Sequence, residues 1–285
     1  MGKPPRYTLS QKTTGGSGSG PQQMYNRPSM RTIAAGAILI SILCGPLSAQ
    51  WFGYPTPGMP RTADGKPNLT APVPKAADGH PDLSGVWSPN SAPLQVIAPE
   101  ASIPFQPWSL KLTHDRADGA RGKDDPASYC EPGMPKLIVL PYTYKIVQVP
   151  GGYKPSMMLM LYECFTTYRQ IFTDGRALPK DPQPAWLGYS VGKWDGDTFV
   201  VDTIGVNDRT WMDNAGRPHS DAMHLTERYH RRDFGHLEVQ LTIDDPKAYT
   251  KPWTVNESAV LLPDTDLLEY ACSENNKDVP HLVGK

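Results

Sequence analysis

No cofactor fingerprint accompanies the polar residues of this chain, and no cofactor is expected. Only four cysteines occur in 285 residues, with no Cys-x-x-Cys pair and no Cys/His zinc spacing. That argues against a structural zinc site. His-Glu-x-x-His is also missing: His219 and His224 stand five apart, and no metal site is expected. The marked apolar run, Ile33 to Cys44, has twelve residues, where a bilayer span takes roughly 20. Basic residues are not in excess, at 28 against 29 acidic. Five of the 28 lie in residues 1–49, which hold no acid, so the rest carries 23 against 29 and a formal charge of −6. Phosphate binding needs a basic face, so nucleic acid is not an expected partner.

What is present begins with a leader. Residues 1–29 are polar and Gly/Ser-rich, read as a disordered or mis-assigned extension. Residues 30–49 have a basic start at Arg31, the short apolar run, and Gly45-Pro46-Leu47-Ser48-Ala49 before a cut. This is the pattern of a secretory signal peptide, with Met30 as the expected start. A periplasmic or extracellular address follows, with no stable membrane span after cleavage. Three cysteines remain, and export permits disulfides. Cys130 sits in a Pro/Gly loop and Cys272 near the end of the chain, which favours a Cys130–Cys272 bridge. Cys164 sits in an apolar pattern and reads as a small buried residue.

Residues 50–82 form a Pro/Gly-rich arm with a fourteen-residue repeat, ADGKPNLT at 63–70 and ADGHPDLS at 77–84. Asp-Gly followed by Pro is turn chemistry. Residues 83–285 read as one domain. A helix is expected from Pro107, with proline in its first turn. Short strands then dominate: LIVL, YKIVQV, SMMLMLYECFTTYRQIFT, WLGYSVGKW, TFVVDTIGV, MHLTERYHR, HLEVQLTI, WTVNESAVLL and LLEYACSE. Turn signals between them predict a mainly β fold, an antiparallel meander barrel or strongly curved sheet with little helix.

Side chains alternate along strands, so each strand offers two faces. Leu237, Val239, Leu241 and Ile243 mark an inner face. Met223, Leu225 and Tyr229 place Glu227 inside with them, where a carboxylate must be paired or titrate high. Arg169 shares a face with Phe165 and Ile171 and is the expected partner. Asp202 joins Glu227 if Val200 and Ile204 point inward, and that face is ambiguous. The polar connection beyond it carries Asp213, His219 and His224. These are expected around the barrel mouth, with Glu227 beneath and Trp211, Tyr189 and Tyr229 as apolar walls. Such a set suits acid/base chemistry. Gly188-Tyr189-Ser190-Val191-Gly192 matches Gly-x-Ser-x-Gly in spacing, but Ser190 reads as mid-strand rather than at a strand-to-helix elbow.

Leu83-Ser84-Gly85-Val86-Trp87 resembles the Gly-x-Trp opening of lipocalin and wider calycin barrels, a likeness of fold alone. GYSVGKWDGDT and PHSDAMHLTERYHR, with PDLSGVW and the CEPGMP loop, resemble a large group of exported bacterial proteins. That resemblance implies export and a shared β fold, and supplies no activity. The leading expectation is an exported barrel that takes a small organic ligand at its mouth. Two alternatives stand beside it: an acid/base hydrolase or lyase using His219, His224, Glu227 and Asp213, and an envelope interaction module.

Overall fold

The computed structural model of the protein describes residues 53–90, 97–117, 122–149 and 156–272. The expected extension (1–29) and signal peptide (30–49) lie outside the described residues. Nine strands follow one another round a single closed barrel. They are β1 (Gly85–Pro89), β2 (Tyr144–Gln148), β3 (Met157–Tyr162), β4 (Thr167–Phe172), β5 (Tyr189–Asp195), β6 (Thr198–Ile204), β7 (His224–Arg231), β8 (His236–Asp244) and β9 (Trp253–Leu261). Among the described residues, helix is confined to α1 (Pro107–Ala117), α2 (Lys136–Val139) and short 3-10 turns. The expected calycin-like barrel with little helix therefore forms, and it closes. Among the described residues no helix is long and apolar enough to cross a membrane.

The expected antiparallel meander forms, with one exception. A ring of nine strands cannot alternate direction all the way round. One neighbouring pair must be parallel, and it is β4–β5, joined only through Ile171↔Ser190 and Phe172↔Val191. Residues 173–188 carry the chain back along the barrel to start β5 at the same end as β4. Every other neighbouring pair is antiparallel.

Three expectations are corrected. LIVL forms the α2 turn rather than a strand. All four residues of α2 are buried, so the apolar run reflects burial on every side, not a strand face. SMMLMLYECFTTYRQIFT is two strands, broken by a 3-10 turn at Cys164–Thr166 in which Phe165 and Thr166 take positive φ. LLEYACSE makes no strand over its described part, 267–272. Cys164 is buried in that 3-10 turn.

The two ends of the barrel differ. One carries tight turns, Gly196-Asp197 between β5 and β6 and 232–235 between β7 and β8. There Trp87 is wholly buried, donates from Nε1 to Leu83 O at 3.0 Å, and lies under the Arg231 guanidinium at 5.0 Å. Gly85 adopts φ +145°, and a Cβ there would meet Leu261 Cδ1 at 2.5 Å, so the Gly-x-Trp spacing is steric. The other end receives the long connections. Ile97, Ile103, Met134, Leu137, Ile138, Met212 and Tyr249 share one apolar core with the strands and cap it. In α1 the buried residues are Ser109 and Thr113, and Ser109 Oγ donates to Ala248 O at 2.6 Å.

The repeat in the arm is also a structural repeat. Arg61↔Pro67 and Lys75↔Pro81 are equivalent bridges, fourteen residues apart. Thr62 N to Lys66 O recurs as Ala76 N to His80 O. Gly65 and Gly79 take φ +81° and +86° at the turns. The first unit is held by Arg61–Asp264 at 2.7 Å. The second is held by Lys75–Asp197 at 3.0 Å and by His80 stacked on Trp194 at 4.7 Å.

Cys130 and Cys272 are joined by a disulfide across 142 residues. Chain entropy for a loop of that length amounts to about 5 kcal/mol. Replacing both cysteines by serine is expected to lower the unfolding free energy by about 2–5 kcal/mol, read from urea denaturation. An unchanged midpoint would show that the tether contributes nothing.

Candidate functional site

Inward alternation on four adjacent strands assembles one polar cluster. Arg169 of β4 is 3 % exposed, and its guanidinium reaches across the parallel seam. Nε donates to Ser190 Oγ on β5 at 2.9 Å, Nη2 to Thr203 Oγ1 on β6 at 2.5 Å, and Nη1 to Glu227 Oε1 on β7 at 2.9 Å. Nη1 lies equally near Glu227 Oε2, at 2.9 Å, an ion-pair contact without hydrogen-bond geometry. Burial pushes the Glu227 carboxyl up, and Arg169 offsets this in part. Burial opposes the charge on Arg169, yet Glu227, together with Tyr162 and Tyr229, more than offsets that and holds the guanidinium charged.

The expected mouth is corrected by the cap. Asp213 has no exposed surface; it binds Arg217 at 2.5 Å and accepts from Ile97 N at 3.0 Å and Ala215 N at 3.0 Å. His219 is buried, its Nε2 2.7 Å from Thr210 Oγ1, and burial lowers its pKa so that it stays neutral. Trp211 is buried beneath Arg116, 4.8 Å from its ring. These residues fasten the cap rather than line an opening. His224 stands on the outer face of β7, its Nε2 3.1 Å from Asp202 Oδ1, which also accepts from Thr226 at 2.9 Å. Asp202 therefore points away from Glu227. Phe199, Val201 and Thr203 form the inner face of β6, a choice the sequence left open because Val200 and Ile204 make the other face apolar as well. No hydrogen bond among the described residues joins any two of His219, His224, Glu227 and Asp213. Ser190 is a buried strand residue followed by a hairpin, so it forms no nucleophile elbow.

Tyr229 is buried, and its hydroxyl lies 3.7 Å from Met160 Sδ. Two tyrosines that sequence reasoning missed stand with it. Tyr162 OH lies 3.6 Å from the same sulfur, and Tyr144 is buried beside it, their rings 6.1 Å apart. Burial raises the hydroxyl pKa of all three. A third omission is Glu257. Trp253, Val255, Glu257, Ala259 and Leu261 alternate along β9, and Glu257 pairs in register with Val239 of the inner face. That alternation was visible in WTVNESAVLL. The Glu257 carboxylate has no hydrogen-bond partner among the described residues, and burial pushes it up to about 7.

Of the cavities along the barrel, one of about 500 Å³ lies over β7, β8 and β9, lined by Arg228, His230, Gln240, Asn256 and Glu257, and two more bear on these elements. One, of about 640 Å³, is at the turn end, bordered by the arm and 261–266, and its Arg231 is engaged by the carbonyls of Asp82, Ser84 and Phe234. The other, of about 510 Å³, is a slot in the wall where β4 and β5 part. Tyr168, Leu178, Leu187 and Tyr189 line it, and Arg169 and Ser190 of the buried cluster border it. Tyr189 is thus a wall residue, but of this lateral slot rather than of a mouth. No group of three or more His, Cys, Asp or Glu among the described residues could hold a metal ion. No family model, curated protein or solved structure matches the chain.

Removing one partner of a buried pair strands the other charge. Arg169→Met is expected to cost about 3–5 kcal/mol in urea unfolding, and Arg169→Met with Glu227→Leu to cost less than Arg169→Met alone. A double variant worse than the single one would deny the pairing its role.

Glu257 makes a separate prediction. A carboxyl raised in the fold holds its proton more tightly there than in the unfolded chain. Its contribution favours the fold below the ordinary value of 4.5 and is lost as pH rises to about 7. Glu257→Gln should therefore gain on the parent in melting temperature between about pH 4.5 and 7.5. A constant difference across that range would contradict the assignment.

Proposed function

We propose that the protein is an exported binding protein that takes a small organic molecule into the slot between β4 and β5. The observation that carries this reading is the opening itself. The β4–β5 ladder has only two residue pairs, and beside it lies a cavity of about 510 Å³ with tyrosine and leucine walls. Ligand sites are commonly concave, largely apolar and of a few hundred cubic ångströms, with a small number of placed polar groups. Arg176 and Gln170 supply such groups among its lining residues. The barrel mouth is capped, so the wall is the better route. The disulfide suits an oxidising compartment, which supports export. The resemblance to exported bacterial proteins belongs to the same proposal.

The acid/base reading has less support, because its four residues sit in separate hydrogen-bond sets. The interaction-module reading does not account for the slot.

A metabolite screen by thermal shift on the protein lacking residues 1–49 tests the proposal. A ligand that raises the melting temperature should bind at least about tenfold more weakly to Tyr189→Ala, with His224→Ala unchanged. Binding that survives Tyr189→Ala but is lost in Phe234→Ala would move the site to the turn end and overturn the slot.

A further inference from the structure

The slot has a one-signed lining. Its residues include Arg169 and Arg176 and no aspartate or glutamate, in a chain whose portion after residue 49 is formally −6. The two arginines are held differently. Arg169 is buried and committed on all three nitrogens to Ser190, Thr203 and Glu227. Its pair with Glu227 does not exchange with a visitor, because leaving that carboxylate alone in the interior is costly.

Arg176 is at the surface. Its side chain is 43 % exposed, its guanidinium lies 3.8 Å from the centre of the Phe172 ring, and it holds Asp174 in a two-pronged pair, Nε 2.9 Å from Oδ1 and Nη2 2.6 Å from Oδ2. Phe172 is a slot residue and Asp174 is not. An exposed ion pair holds by a factor of roughly five, and a two-pronged one by somewhat more. An arriving anion can therefore replace Asp174. The aromatic face meanwhile keeps the guanidinium in place, so little ordering is required. Beside Gln170 and Ser190, much of the remaining slot is apolar, including Leu178, Pro179, Leu187 and the ring of Tyr189.

We infer that the slot selects an amphipathic monoanion, a carboxylate or sulfonate on an aromatic or branched apolar body, with its charged head on Arg176 and its body against Leu187 and Tyr189. This rests on the slot being the ligand site. A planar guanidinium suits both head groups, since each presents two or more oxygens to its fork.

A pair of fluorescent probes with one body and two charges tests the inference. Anilinonaphthalene sulfonate carries the anion, and phenylnaphthylamine is its neutral counterpart. The sulfonate is expected to bind the parent at least about tenfold more tightly than the neutral probe, the scale of one charge-assisted hydrogen bond. Arg176→Gln should erase that preference and leave the neutral probe's affinity unchanged. Arg176→Lys should keep part of it, and Asp174→Asn should tighten the sulfonate by removing its competitor. Equal affinities in the parent, or a preference that survives Arg176→Gln, would overturn the anion class while leaving the slot intact. Failure of both probes to bind, or binding indifferent to Tyr189→Ala, would instead overturn the slot reading and the inference with it.

Discussion

Ring closure with an odd number of strands is the constraint on which the rest depends. Direction must fail to alternate once, so one seam is parallel, and a parallel seam needs a crossover instead of a tight turn. Here the seam is also the shortest strand ladder, at two pairs. Backbone hydrogen bonds alone leave β4 and β5 weakly joined. The Arg169 side chain spans the gap from within, reaching β5, β6 and β7 through Ser190, Thr203 and Glu227. One guanidinium thus ties four successive strands at the place where the wall is thinnest. The slot and the buried ion pair are two results of one topological requirement.

The cap follows a different logic. Its loops are fixed by polar groups that have left water. Asp213 gathers Ile97 N, Ala215 N and Arg217, and Asp245 gathers Ser220 through both backbone and side chain. Buried carboxylates in irregular backbone satisfy donors that no sheet or helix can reach. A density of ionisable residues in a connection therefore has an architectural use, and His219 belongs to it through Thr210.

Much of the barrel was legible because strand alternation is local. It placed Glu227 inward and offered Arg169, although 58 residues separate them. The Cys130–Cys272 pairing could be favoured from loop character and position alone. The strand count was not legible. LIVL and LLEYACSE resemble strands in composition, and an error in number hides the parity that creates the seam. Nor was the cap legible: which loop residues turn inward depends on contacts between distant segments, such as Ile97 with Asp213. Glu257 was a different kind of omission. Its face could be read from its neighbours in WTVNESAVLL, which lie in sequence well beyond the polar connection.

The two arm units are built alike yet seated on unlike ground. Each presents a cation at the same position, Arg61 or Lys75, to a different aspartate, Asp264 or Asp197. Only the second has an imidazole where the first has a lysine, and only the second meets an indole, Trp194. Internal bonds make the units interchangeable as objects, while these few substitutions give each an address. The arm is in effect a two-toothed key, in which the repeated shape supplies stiffness and the departures from the repeat set the register against the lock.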